Sequence, residues 1–226
     1  FPGLDRPKLL GYVVAVLETV RQLHAAQVYV GDYNPANFLC DPASSTVTFI
    51  DCDSWQVSTR GKTFPCPVTV PDMLPLELHG KSLDQVERTV ESERFSLAIL
   101  LFKMLMLGRH PFDVVGGESP VENIRRSYFP YGVGKKGIPK GRWYNIWSHL
   151  SFDLKKQFIR TFTVGCTNPA ERTSVEEWLK LFKQYHYQMT KEGWFSTEMI
   201  PAKPKSREHR GVLAHSTDAP VSAPEA

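Results

Sequence analysis

Two periods of hydrophobic patterning run through this chain. Between Asp5 and Gln27 the apolar residues fall at 9, 10, 13, 16, 17, 20 and 23, the spacing that lays one stripe along a helix. A long amphipathic helix is therefore predicted, ending at Gln27 to Tyr29. Two short β-prone runs follow, "NFLC" and "VTFI", separated by "DPASST". They predict a small antiparallel hairpin over 37–40 and 47–50. Residues 51–75 carry Pro65, Pro67, Pro71 and Pro75 and predict irregular chain. From about 92 to 107 the pattern is apolar on all sides ("FSLAILLFKMLML") and stops at Gly108, as expected of a helix at the centre of a core.

Three later segments carry helix-start signals. Ser119 precedes Pro120 in "SPVENIRRSYF", Ser151 precedes "FDLKKQFIRTFTV", and Thr173 with Glu176 forms a capping-box pattern ahead of "VEEWLKLFKQYHYQM". Residues 129–145 are rich in Gly and Lys and predict a loop. Gly132, Gly134 and Gly137 have G-x-G-x-x-G spacing there, but no predicted strand precedes them, so a basic loop is expected rather than a phosphate cradle. From about Pro201 the chain turns polar and Pro/Ala-rich, and disorder is expected. The fold class predicted is mainly α with one small β-hairpin, with a domain over 1–190 and a tail over 191–226.

Composition narrows the function classes. The chain has 226 residues, 42% hydrophobic and 23% charged, enough for a globular core. A net charge of +3 is too small and too evenly spread to point to nucleic acid. The apolar run at 95–107 is shorter than a bilayer span, so no membrane partner is expected. The cysteines at 40, 52, 66 and 166 form no C-x-x-C pair, which argues against structural zinc. With no secretory signal, a cytoplasmic, reducing location is expected.

The chemistry is concentrated between Gly31 and Val57. Asp32 and Asn37 flank a tight "YNPA" loop that leads into the first strand of the hairpin, and Asp51 closes the second. Pairing of the strands brings Asn37 and Asp51 together at one end. Oxygen ligands so placed suit Mg²⁺, which takes a few protein oxygens and completes its shell with water and phosphate. Asp32 would lie a few ångströms away, free to accept a proton from a hydroxyl. Metal ligands on one side and a base on the other form the layout of phosphoryl transfer.

These motifs resemble those of the protein kinases. "GDYNPAN" resembles the catalytic loop H-R-D-x-x-x-x-N (residues 30–39 here), and "IDCD" resembles the D-F-G metal motif (51–53). "VPDMLPLEL" resembles the end of an activation segment (51–77), with Glu77 in the A-P-E position. "ERFSLAILLFKMLMLGRHPF" resembles the large buried helix of the C-terminal lobe. "NPAERTS" resembles the segment whose Arg, here Arg172, pairs with that Glu. The matches occur in family order from about Leu4 to Gln184 and are most similar to a bacterial kinase-like group found in stress-response and tellurite-resistance clusters. The resemblance implies Mg²⁺ and ATP as cofactors and Ser/Thr-type transfer to a protein substrate. Phosphatase or von Willebrand-type partners follow by family analogy. Asp32 would be the catalytic base, with Asn34 beside it in place of the usual Lys. Asn37 and Asp51 would be metal and cofactor ligands, and Asp53 a further candidate ligand or a turn cap. Glu77, Arg172 and Glu93 would be structural, Glu93 holding the catalytic loop by its backbone.

The sequence departs from that family at several points. Val30 and Gly31 replace the His and Arg of the catalytic loop, Cys52 replaces the Phe of D-F-G, and only about 30 residues precede the loop. A C-terminal lobe lacking its nucleotide-covering N-terminal lobe, hence a fragment, is expected. The alternatives are an inactive pseudokinase or scaffold, and a small-molecule kinase of the aminoglycoside-phosphotransferase type.

Overall fold

A computed structural model describes residues 3–132 and 136–205 of the chain. Helix α1 (Arg6–Ala25) starts where Asp5 accepts a hydrogen bond from the Lys8 N–H. It buries Leu10, Val13, Leu17 and Val20 along one stripe, and Gln27, at φ 55°, turns the chain out. Strand β1 (Val28–Tyr29) follows. Strands β2 (Phe38–Cys40) and β3 (Val47–Phe49) form the expected hairpin, with Phe38 opposite Phe49 and Cys40 opposite Val47.

The segment expected to be irregular holds a second hairpin. Strand β4 (Gln56–Thr59) pairs with β5 (Lys62–Phe64) and also with β1, giving a three-stranded antiparallel sheet in the order β1-β4-β5. Arg60 and Gly61 both have positive φ (50° and 74°), matching the twist that a two-residue hairpin turn requires. Pro65 and Pro67 fall just past β5, where they interrupt no ladder bond.

Helix α2 (Val90–Leu105) is the centre of the molecule. Thr89 and Ser92 form a reciprocal capping box at its start. Phe95, Leu97, Ala98, Ile99, Leu101, Phe102 and Leu105 are fully buried. The Phe102 ring meets Phe129, Tyr131, Phe158 and Phe162, which is why the run is apolar all round. Helix α3 (Pro120–Arg125) is capped by Ser119 as expected. Helix α4 (Trp143–Ser148) lies inside the segment expected to be loop and buries Ile146 and Trp147. Helix α5 (Phe152–Phe162) is capped by Ser151, and a short α6 (Val164–Thr167) leads to α7 (Val175–Thr190). The cap of α7 is Ser174, not Thr173. Thr173 is buried and shares a hydroxyl hydrogen bond with Thr161 at 3.0 Å.

Beyond α7 the chain returns across the start of the fold. Arg6, fully buried, donates to the carbonyls of Leu105, Glu198 and Met199. Asn145 donates to the carbonyls of Pro201 and Ala202 at 2.9 Å, and the Lys205 N–H to Ser148. Residues 201–205, read from sequence as the start of the tail, are thus docked on α4. The rest of the tail, 206–226, lies outside the described residues, as does Gly134 of the glycine triplet. Gly132 ends a short 3-10 turn (Pro130–Gly132) rather than following a strand. No helix among the described residues is long and apolar enough to cross a membrane.

Candidate functional site

The site is assembled by the turn that precedes Asp32. Gly31 has φ 67°, and the Asp32 N–H donates to the Val30 carbonyl at 2.7 Å, which closes a three-residue γ-turn. Glycine is required there on two counts. A positive φ is costly for a side-chain-bearing residue, and a Cβ at position 31 would lie 2.4 Å from Cys66 Sγ. The turn is held by Glu93, a fully buried residue in the first turn of α2. Its carboxylate accepts from the N–H groups of Val30 and Gly31 at 3.0 Å and from the Tyr33 hydroxyl at 2.8 Å. His24 Nε2 stands 3.8 Å from the same carboxylate.

After Asp32 the loop folds back on itself. Asn34 caps a 3-10 turn (Pro35–Asn37), its Oδ1 accepting from the Ala36 N–H at 3.1 Å. That turn returns Asn37 to Asp32, and Asn37 Nδ2 donates to Asp32 Oδ2 at 3.1 Å. The Asn37 carbonyl accepts from the Ile50 N–H at 3.0 Å, which fixes the end of β3 against the loop and delivers Asp51 as the next residue. Asp51 is left-handed, at φ 61°, and opens a 3-10 turn (Cys52–Ser54) that carries Asp53. Asp51, Cys52 and Asp53 are exposed. The hydrogen bond that the protonated Asp51 carboxyl can donate to Asp53, then the Asp53 charge, then partial desolvation, then the charge of Asp32 push the Asp51 carboxyl above its ordinary range.

That upward shift tests whether the residues suit a metal. Carboxylates are crowded together here, and the amide of Asn37 uses its nitrogen toward Asp32, leaving Oδ1 as an acceptor. A hard divalent cation relieves such repulsion by taking oxygen ligands, and Mg²⁺ keeps several waters while doing so. Among the described residues no cluster of three or more His, Cys, Asp and Glu could hold a metal by itself. The oxygens available, Asn37 Oδ1 and the carboxylates of Asp51 and Asp53, are of the type a hard divalent cation takes alongside water and phosphate.

The chain from β4 onward closes the other side. Thr69 Oγ1 lies 3.3 Å from the Gly31 carbonyl and 3.4 Å from Asp32 Oδ1, able to donate to one at a time. Gln56 on β4, buried, accepts from the Arg88 N–H at 2.6 Å and donates to the Arg88 carbonyl at 3.0 Å. This pins the Arg88 guanidinium behind Gly31, next to Cys66 Sγ at 3.8 Å. Arg88 thus places a buried cation beside the loop position where the sequence has lost an Arg.

Farther along, Glu77 and Arg172 meet. Arg172 donates from both terminal nitrogens to the Glu77 carboxylate at 2.6 and 2.7 Å, and also to the carbonyls of Gly165 and Glu91. Its guanidinium sits 5.1 Å from the centre of the Phe95 ring. Burial pushes the Glu77 carboxyl up, but the hydrogen bonds and charge of Arg172 outweigh it and leave the carboxyl below its ordinary range.

The structure thus brings Asp32, Asn37 and Asp51 together, sets Asp53 beside them and Glu93 beneath, places Asn34 in the turn between, and joins Glu77 to Arg172 elsewhere. Sequence reasoning missed Tyr33, Thr69, Gln56 and Arg88. A hydroxyl residue adjacent to Asp32 was the one local signal. The rest depend on contacts between distant segments.

No family model matches the sequence. The chain is similar to two curated proteins, each described as protein kinase YegI. It is 39% identical to that of Escherichia coli strain K12 and 30% identical to that of Escherichia coli O157:H7. Each match runs over 171 residues, 72% of this chain and 26% of the relative, so the chain spans about a quarter of the length of the curated relatives it matches. Among solved structures, titin kinase with its flanking domains matches at TM-score 0.58 and 20% identity, covering 92% of this chain and 33% of that one. The autoinhibited serine kinase domain of titin matches at TM-score 0.58 and 19% identity, covering 92% of this chain and 56% of that one. The fold is protein kinase-like.

Proposed function

We propose that this chain is the C-terminal lobe of a Mg²⁺- and ATP-dependent protein kinase and carries its proton-accepting and metal-holding side chains. One observation carries the reading: Asp32 and Asn37 meet at 3.1 Å, and the Asn37 carbonyl accepts from the Ile50 N–H at 3.0 Å, which sets Asp51 next to them. When bound, Mg²⁺ would neutralise charge on the phosphate oxygens of ATP, which supplies the phosphoryl group. Asn37 Oδ1 and Asp51 would hold it, with Asp53 as a third oxygen donor. Asp32 orients the acceptor hydroxyl and takes its proton, while the Asn37 amide holds one oxygen of its carboxylate. Asn34 retains N–H donors to offer the transferring group where a Lys is usual. The acceptor is a Ser or Thr hydroxyl of a protein. The ordered segment from Asp51 to Glu77, anchored by Arg172, supports a protein acceptor over a small-molecule one.

The test is phosphoryl transfer by the natural protein that carries this sequence, with and without Asp32→Asn. Transfer that Asp32→Asn leaves unchanged removes Asp32 from its role. A second reading, an inactive scaffold, is favoured by the use of the Asn34 carbonyl oxygen as a turn cap. Nucleotide binding without any transfer would select it.

A further inference from the structure

We propose that Tyr33 is a positioning residue for Asp32, acting through Glu93 to fix the backbone on both sides of the base and through Phe38 to tie it to the metal side of the site. The inference rests on the reading of Asp32 as the proton acceptor.

The geometry behind it is a shared carboxylate. Glu93 Oε1 accepts from the Gly31 N–H and Oε2 from the Val30 N–H, both before Asp32. The Tyr33 hydroxyl reaches the same Oε2 at 2.8 Å from the residue just after it. One buried carboxylate therefore grips the chain on either side of residue 32. A γ-turn with positive φ is strained and persists only where its surroundings over-determine it. Two backbone bonds hold the near side of this turn, and the Tyr33 hydroxyl holds the far side.

Tyr33 also reaches the hairpin. Its ring stacks on Phe38 with centroids 6.3 Å apart and planes 15° apart, and Phe38 meets Phe49 edge-on at 4.7 Å. Phe38 follows Asn37 in the chain, and Phe49 precedes Ile50 and Asp51. The Tyr33 ring is thereby packed, through Phe38 and Phe49, against the segments that carry both proposed metal-side residues. Tyr33 is fully buried. Burial and the adjacent Glu93 charge push its phenol well up, so the hydroxyl remains a donor throughout the working pH range. A phenylalanine would keep the ring but leave Oε2 one donor short.

The experiment compares wild type with Tyr33→Phe in the natural protein that carries this chain. ADP release from Mg-ATP is followed with dephosphorylated casein as acceptor, and backbone amide NMR is recorded on the present chain. Expected are a kcat lowered roughly tenfold or more with the KM for ATP within about twofold, the split of an interaction that matters in the transition state. The Gly31 and Asp32 amide resonances should shift as well. If Tyr33→Phe fails to fold, 3-fluorotyrosine at position 33 keeps the hydroxyl and makes it a more acidic donor at the cost of one ring fluorine, and its kcat should differ from wild type at equal KM. An unchanged kcat in the folded variant, or unshifted Gly31 and Asp32 amides, overturns the proposal while leaving Asp32 as the base. Absence of transfer by the wild type overturns the phosphotransfer reading and this proposal with it.

Discussion

The stretch from Asp51 to Glu77 is built differently at its two ends. At the Glu77 end a carboxylate meets a guanidinium in a two-bond fork, with Arg172 buried and also donating to the carbonyls of Gly165 and Glu91. At the Asp51 end acidic side chains face one another in the open, and Asp51 is pushed up rather than down. A carboxylate that has its counter-charge in the chain is finished by folding. One that is crowded by its own kind is finished by something that arrives. The Glu77 end is completed by a partner within the chain; under the proposed function, the Asp51 end would be completed by the bound metal ion.

The comparison breaks most sharply at Arg172. Arg172→Ala leaves Glu77 without its counter-ion and three carbonyl or carboxylate groups without their donor. A loss of about 3–5 kcal/mol is expected, as for removing one partner of a buried pair, read as a lower urea midpoint at unchanged slope. At the other end, Asp32→Asn should cost little stability but lower phosphoryl transfer by on the order of a hundredfold or more, measured as kcat with bound nucleotide. An intermediate effect follows from pH. Glu77 has a folded pKa below its unfolded one. Its contribution is therefore complete above the ordinary carboxylate range and is lost as pH falls through the lowered folded value. Stability against pH should show this acid limb, and Glu77→Gln should flatten it. The smallest effect is at Asp53. Asp53→Asn removes the first cause of the Asp51 shift, so Asp51 should titrate closer to its ordinary range. A carboxyl-detected NMR titration measures this, and Mg²⁺ added to the wild type should move Asp51 in the same direction.

How far the fold was legible depends on the range of the forces that set each element. The stripe of α1 and the all-apolar α2 declare themselves through burial, which the sequence records directly. So do the caps at Ser119 and Ser151. The β4–β5 hairpin was hidden because it has one partner strand far away in β1, and the prolines after it read as irregular chain when they merely terminate it. Helix α4 was hidden by Gly141 just before it and by its shortness, since Trp143–Ser148 is too brief to show a period. The one-residue misplacement of the α7 cap has a tertiary cause: Thr161 captures Thr173 and hands the capping position to Ser174. In the site, Asp32, Asn37 and Asp51 were legible because a tight loop and a hairpin register connect them locally. Tyr33, Gln56 and Arg88 were not, because their meaning comes from Glu93, from each other, or from Cys66, all distant in the chain.

The return of the chain after α7 has a consequence for where this fold stops. The guanidinium of Arg6, sealed from solvent, draws two of its carbonyl partners from Glu198 and Met199. A protease that trimmed the polypeptide back to its final helix would take away both of those carbonyls and uncover the guanidinium. The functional boundary of the folded unit therefore lies past its last regular element, among residues with no periodic signature at all.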